Sequence, residues 1–267
     1  MPIQIIIVLV LTFIIYLIST LSYSVRIVGV KTGRIAMSFA AFNIFALISR
    51  TANTFQAPLL AKTIEESIKE GNPEHLLYIF RWILFSTTVA AIAGALLMPT
   101  FINIFEKIVS SFSIYRSIPK ILIHGFSKSG IEQFKSSLAR PKPDSIKHLK
   151  NFKKIPKKII LLNVIAFSIS TVGVLASLYA GCLSPEFRTT CSTLSSVING
   201  SATILMFIFI DPYISMMTDD VIRGECDELQ FKRCIIFIVA GLILGTILAQ
   251  FILVPAAKII AFIAKVI

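Results

Sequence analysis

Arg50, Asn53 and Gln56 fall at i, i+3 and i+6 in the stretch ALISRTANTFQAPLLAK (46–62). Arg50 is the only charged side chain between Arg34 and Lys62, in a run otherwise suited to a bilayer. An Arg at the centre of a membrane helix costs about 2.5–3.5 kcal/mol on insertion scales, so its presence asks for a role. A guanidinium keeps its charge when desolvated, and its planar fork matches phosphate oxygens two at a time. Asn53 and Gln56 add amide donors and acceptors on successive turns, and Asn43 precedes Arg50 by seven residues. The set is a candidate anion site. It equally fits a structural use, with Arg50 bonded to carbonyls or to an acid on another helix.

Asp211 is the only acid embedded in an apolar run, MFIFIDPYISMM. It is open to three readings: a partner for Arg50, a proton carrier, or an interfacial helix end next to Pro212, which lacks a backbone donor. Glu106 is a second carboxylate that could carry protons. Arg26, Lys31 and Arg34 lie in TLSYSVRIVGVKTGRIA (20–36), among Gly29 and Gly33. They suit lipid phosphates at a membrane interface, although the cationic bias of cytoplasmic loops accounts for them as well.

The elements that must position these groups are transmembrane helices. Of 267 residues, 55% are hydrophobic and only 15% charged, against roughly a quarter charged in soluble domains. Uncharged or nearly uncharged runs cover 1–25, 35–61, 82–105, 159–185, 189–210 and 234–257. A bilayer core of about 30 Å takes about 20 helical residues, and helices satisfy their own backbone groups where no water can. The expectation is an all-α polytopic membrane protein of about six spans. The apolar run from Ile3 to Leu21 is longer than the core of a signal peptide and reads as the first span.

Net charge is +12 and uneven. Between Glu106 and Lys158 there are thirteen Lys and Arg against three acids (Glu106, Glu132, Asp144), a net +10. In a membrane protein such a run points to anionic lipids of the inner leaflet rather than to nucleic acid. The segment 106–158 is therefore expected to be a cytoplasmic connection between helices 1–3 (1–105) and helices 4–6 (159–267). Alternation then puts the acidic loop with Glu65, Glu66, Glu70 and Glu74 outside, together with both termini. Arg50 falls toward the outer half and Asp211 toward the inner end, which argues against a direct pair. In PDSIKHLKNFKKIP (143–156), Ile146, Leu149 and Phe152 at i, i+3, i+6 suit a short amphipathic helix on the membrane surface. ILIHGFSKSGIEQFKSSLARP (121–141) is a weaker case.

Cysteines at 182, 191, 226 and 234 form no C-x-x-C pair, and His75, His124 and His148 lie far from them. Neither a metal site nor a cofactor is expected. Cys182 and Cys191 share one short loop and could form a disulfide on an oxidising side.

The two halves answer each other at an offset of 154–156 residues. Pro58 is followed seven residues later by Glu65 and Glu66, and Pro212 by Asp219 and Asp220. Tyr23 and Tyr179, and likewise Pro99 and Pro255, stand 156 apart. These prolines are expected to end helices 2, 5, 3 and 6. Three helices per half would place the halves in opposite orientation, an architecture shared by many transporters.

The strings at 20–36 and 49–62, ATILMFIFIDPYISMMTDD (202–220) and QFILVPAAKIIA (250–261) resemble the Amj family of bacterial membrane proteins, alternate lipid II flippases of peptidoglycan synthesis. The resemblance implies a substrate, a polyprenyl pyrophosphate bearing a disaccharide-peptide, moved from inner to outer leaflet of the cytoplasmic membrane. It implies that Arg50 binds pyrophosphate, that Asn53 and Gln56 bond phosphate or sugar, and that Arg26, Lys31 and Arg34 gather the headgroup. Three other functions fit the residues alone. An enzyme on the same lipids could use DDVIRGECDE (219–228) for Mg²⁺, although the motifs of known lipid transferases are missing. A small-solute or ion transporter would fit the repeat, and a scaffold would need no site at all. Six helices make a small unit, compatible with a homodimer.

Overall fold

The computed structural model describes residues 3–69, 73–115 and 156–267, and every regular element among them is helical. The helices are α1 (Ile3–Thr32), α2 (Ile35–Lys69), α3 (Pro73–Tyr115), α4 (Lys157–Leu183), α5 (Arg188–Leu205), α6 (Asp211–Ile222) and α7 (Glu228–Val266). A 3₁₀ turn, Pro185–Phe187, leads into α5, and a π-helical stretch, Met206–Ile210, joins α5 to α6. Among the described residues five segments are long and apolar enough to cross a membrane: α1, α3, α4, α7 and the continuous run Pro185–Ile222. At 35 residues α2 is as long as these, but it is more polar and is not among the five. The surface amphipathic helices expected at 121–141 and 143–156 lie outside the described residues, save Pro156.

Three prolines expected to end helices do not. Pro58, Pro99 and Pro255 sit inside α2, α3 and α7, which continue beyond them to Lys69, Tyr115 and Val266. Proline removes one donor and crowds one carbonyl, and flanking turns packed on neighbouring helices can bridge that gap. As a result α3 takes in Glu106, which the charge pattern assigns to the connection. Pro212 behaves differently. Its helical run, Pro185–Ile222, is also unbroken, but the π-helical stretch just before it changes the hydrogen-bond pattern where the proline N–H is missing.

Two apolar clusters fix the antiparallel order. One gathers Ile5 and Val8 of α1, Ile64 of α2, Phe80 of α3, Ala176 of α4 and Leu253 of α7. The other gathers Ile27 of α1, Met98 of α3, Ala166 of α4, Ile214 of α6 and Phe231 of α7. The start of α1 and the end of α7 therefore share one end of the bundle. Glycine lets the helices approach: a Cβ on Gly245 of α7 would lie 2.7 Å from Phe167 Cβ and 3.0 Å from the Val164 carbonyl oxygen of α4. Without a hydrophobic drive between helices in lipid, such close backbone contact supplies much of the association. Cys182 and Cys191 are free thiols, half-buried and buried.

Candidate functional site

The polar stripe of α2 divides. Gln56 is buried, and its Nε2 donates to Thr12 Oγ1 of α1 at 2.7 Å. Thr12 Oγ1 in turn donates to the Val8 carbonyl at 2.8 Å, so the bridge leaves neither group wanting. Asn43, Arg50 and Asn53 are exposed. Among the described residues Arg50 makes no ion pair. Six residues along a helix turn a side chain by about 120° from the first. That angle carries Gln56 off the open face of α2 and onto α1, while Arg50 stays outside the packing.

Asp211 finds a cation, and it is Arg26. Arg26 Nη2 donates to Asp211 Oδ1 at 2.9 Å, and its Nη1 reaches Ser215 Oγ at 3.4 Å. The Arg26 side chain is only 17% exposed, against 38% for Asp211. The guanidinium also lies 5.5 Å from the centre of the Phe39 ring, a cation–π distance. The pair joins α1 to α6 and thus the first half of the chain to the second. The π-helical stretch just before Asp211 widens one turn, as such bulges often do at functional positions.

The remaining expected cations have local partners. Lys31 Nζ donates to Glu106 Oε2 at 2.6 Å, binding the end of α1 to α3. Arg34 Nη1 reaches the Val109 carbonyl oxygen at 3.5 Å. Both carboxylates considered for proton coupling, Asp211 and Glu106, therefore hold a cation. A contact at the opposite end is new: Arg188 Nη2, at the start of α5, donates to Glu65 Oε1 of α2 at 3.2 Å.

Helix α5 is polar along much of its length. Ser192, Thr193, Ser196, Ser201 and Thr203 are exposed. Hydroxyls on this helix, such as Thr203 Oγ1 to Asn199 O at 2.8 Å, donate back to their own turn. That self-satisfaction lets a Ser/Thr-rich helix enter a membrane while keeping acceptors for a sugar or amide. The density of Ser and Thr over RTTCSTLSSVINGSAT (188–203) was the available signal. Among the described residues no three of His, Cys, Asp or Glu gather closely enough to hold a metal ion. The chemistry on offer is recognition of anions and hydroxyls.

Comparison with known proteins bears on what is recognised. The family model Amj, described as Alternate to MurJ, matches residues 11–264. The chain belongs to the Amj family. A relative in Bacillus subtilis (strain 168), Lipid II flippase Amj, is 35% identical over 264 residues, covering 94% of this chain and 93% of the relative. No solved structure matches. This Amj-family chain is an all-helical membrane protein, and its likeness to the named flippase covers 94% of its length.

Proposed function

We propose that this chain is a lipid II flippase of the bacterial cytoplasmic membrane, carrying the polyprenyl pyrophosphate-linked disaccharide-peptide from inner to outer leaflet. The near-full-length likeness to Lipid II flippase Amj carries the reading. Arg50 supports it from the geometry, as an exposed guanidinium near the middle of α2 with no ion pair among the described residues. In this reading Arg50 binds the pyrophosphate and Asn53 bonds phosphate or sugar. Gln56 sets the angle of α2 through Thr12. Lys31 and Arg34 draw the headgroup in at the cytoplasmic face, while Arg26 is held by Asp211. The polyprenyl tail stays in the bilayer, so the protein needs to shield only the polar head. The net +10 charge between Glu106 and Lys158 favours the anionic lipids of the inner leaflet.

The test is to deplete the resident lipid II flippase of a suitable bacterium, supply this chain, and add from outside an enzyme that cleaves lipid II. Cleavage restored to the undepleted level supports the reading. No restoration, with the protein present in the membrane at normal abundance, overturns it.

A further inference from the structure

Several helix boundaries of the two halves recur at offsets of 153–155 residues. Helix α1 starts at Ile3 and α4 at Lys157; α2 ends at Lys69, and the α5–α6 run ends at Ile222, capped by Arg223. Pro73 opens α3, and Asp227 caps α7. Packing repeats too: α1 lies against both α2 and α3, and α4 against both α5 and α7. Three helices per unit give the second unit the opposite direction, so what the first presents at one membrane face the second presents at the other.

Two pairs of charged side chains stand 154 residues apart. Arg34, at the start of α2, corresponds to Arg188 at the start of α5. Glu65, near the end of α2, corresponds to Asp219 near the end of α6. The ion pair Arg188–Glu65 joins the two units at one end of the bundle, and its counterpart at the other end is Arg34 with Asp219. In the structure only the first is made. Arg34 reaches the Val109 carbonyl instead, and Asp219 is exposed with no ion pair among the described residues. The deeper pair Arg26–Asp211 has no counterpart, since positions 180 and 57 are alanines.

We propose that Glu65–Arg188 and Arg34–Asp219 are repeat-related gates that close alternately during transport, and that the structure holds the first gate closed. Exchanging the conformations of the two units closes Arg34 on Asp219 and parts Arg188 from Glu65. The polar face with Arg50 then opens to one side of the membrane and afterwards to the other. Glu65, Arg188 and Asp219 are positioning residues for transport rather than substrate ligands, and Arg34 meets the headgroup only while its gate is open. The proposal rests on the flippase reading only for what is carried.

Cross-linking tests it without any substrate, so its failure and that of the flippase reading are separable. In a full-length chain with its four native cysteines replaced, Glu65→Cys with Arg188→Cys makes one pair and Arg34→Cys with Asp219→Cys the other. Each pair is oxidised in native membranes and the linked peptides identified by mass spectrometry. Both should link, and a four-cysteine chain should carry one link or the other in a given molecule but not both. Failure of either pair to link, or both links in one molecule, overturns the proposal. A charge exchange guards against loss of fold: Arg188→Glu should lower transport at least about 5-fold, and adding Glu65→Arg should bring it back to within about 2-fold. Unchanged transport in Arg188→Glu also overturns the proposal.

Discussion

Arg26 and Asp211 stand 185 residues apart in the chain, and their side chains meet at 2.9 Å. Asp211 comes to the meeting just after a turn widened by π-helical geometry, with Pro212 beside it in the same continuous helical run. Removing one partner leaves a charge in poorly hydrated surroundings, which costs about 3–5 kcal/mol for a fully buried pair. Asp211 is more than a third exposed, so Asp211→Ala or Arg26→Ala should cost about 1–3 kcal/mol, less than the buried limit. Replacing both with leucine should recover most of that loss, because no unpaired charge remains. Thermal unfolding in detergent micelles reads both values. Single variants as stable as the wild type would show that the pair contributes nothing.

Close packing between α4 and α7 separates two glycines that look alike in sequence. Gly245→Ala places a methyl group 3.0 Å from a backbone carbonyl oxygen that cannot step aside, and should cost about 1–3 kcal/mol. Gly200 in α5 has nothing within 4 Å of its added Cβ. Gly200→Ala should therefore gain up to about 1 kcal/mol, as alanine does over glycine in helices. Equal effects at both sites, measured by denaturant unfolding in mixed micelles, would contradict the packing described between α4 and α7.

Gln56 and Arg50 lie two turns apart on one helix and should behave differently. Gln56→Leu removes the hydrogen bond to Thr12, worth about 0.5–1.5 kcal/mol, while Thr12 keeps its bond to Val8. The expected result is a less stable protein that still transports at the wild-type rate per molecule. A loss of transport with stability unchanged would instead place Gln56 among the substrate ligands.

Much of this architecture is legible in the residues. Long apolar runs specify helices at bilayer length, and the family is visible in strings such as TLSYSVRIVGVKTGRIA. Asp211 is conspicuous as an acid among Phe and Ile. What cannot be read is which helices meet. Arg26 as the partner of Asp211, and Arg188 as the partner of Glu65, depend on how three-helix units dock, and no local pattern encodes that. Proline misleads for a related reason: its local penalty at Pro58, Pro99 and Pro255 is outweighed by helix packing on either side. The α2 stripe misleads through arithmetic, since i, i+3, i+6 drifts about a third of a turn round the helix and splits Gln56 from Arg50.

The central claim is that Arg50 lies in the path of a lipid-linked pyrophosphate, and reconstituted transport tests it most directly. Wild type, Arg50→Lys and Arg50→Ala are placed at equal density in vesicles holding lipid II in the inner leaflet, and its arrival outside is followed with an added cleaving enzyme. A guanidinium fork on pyrophosphate is worth about 1.5–3 kcal/mol as a charged hydrogen bond, so Arg50→Ala should slow transport at least about 10-fold, with Arg50→Lys in between. Transport by Arg50→Ala at the wild-type rate would contradict the account and leave Arg50 outside the path.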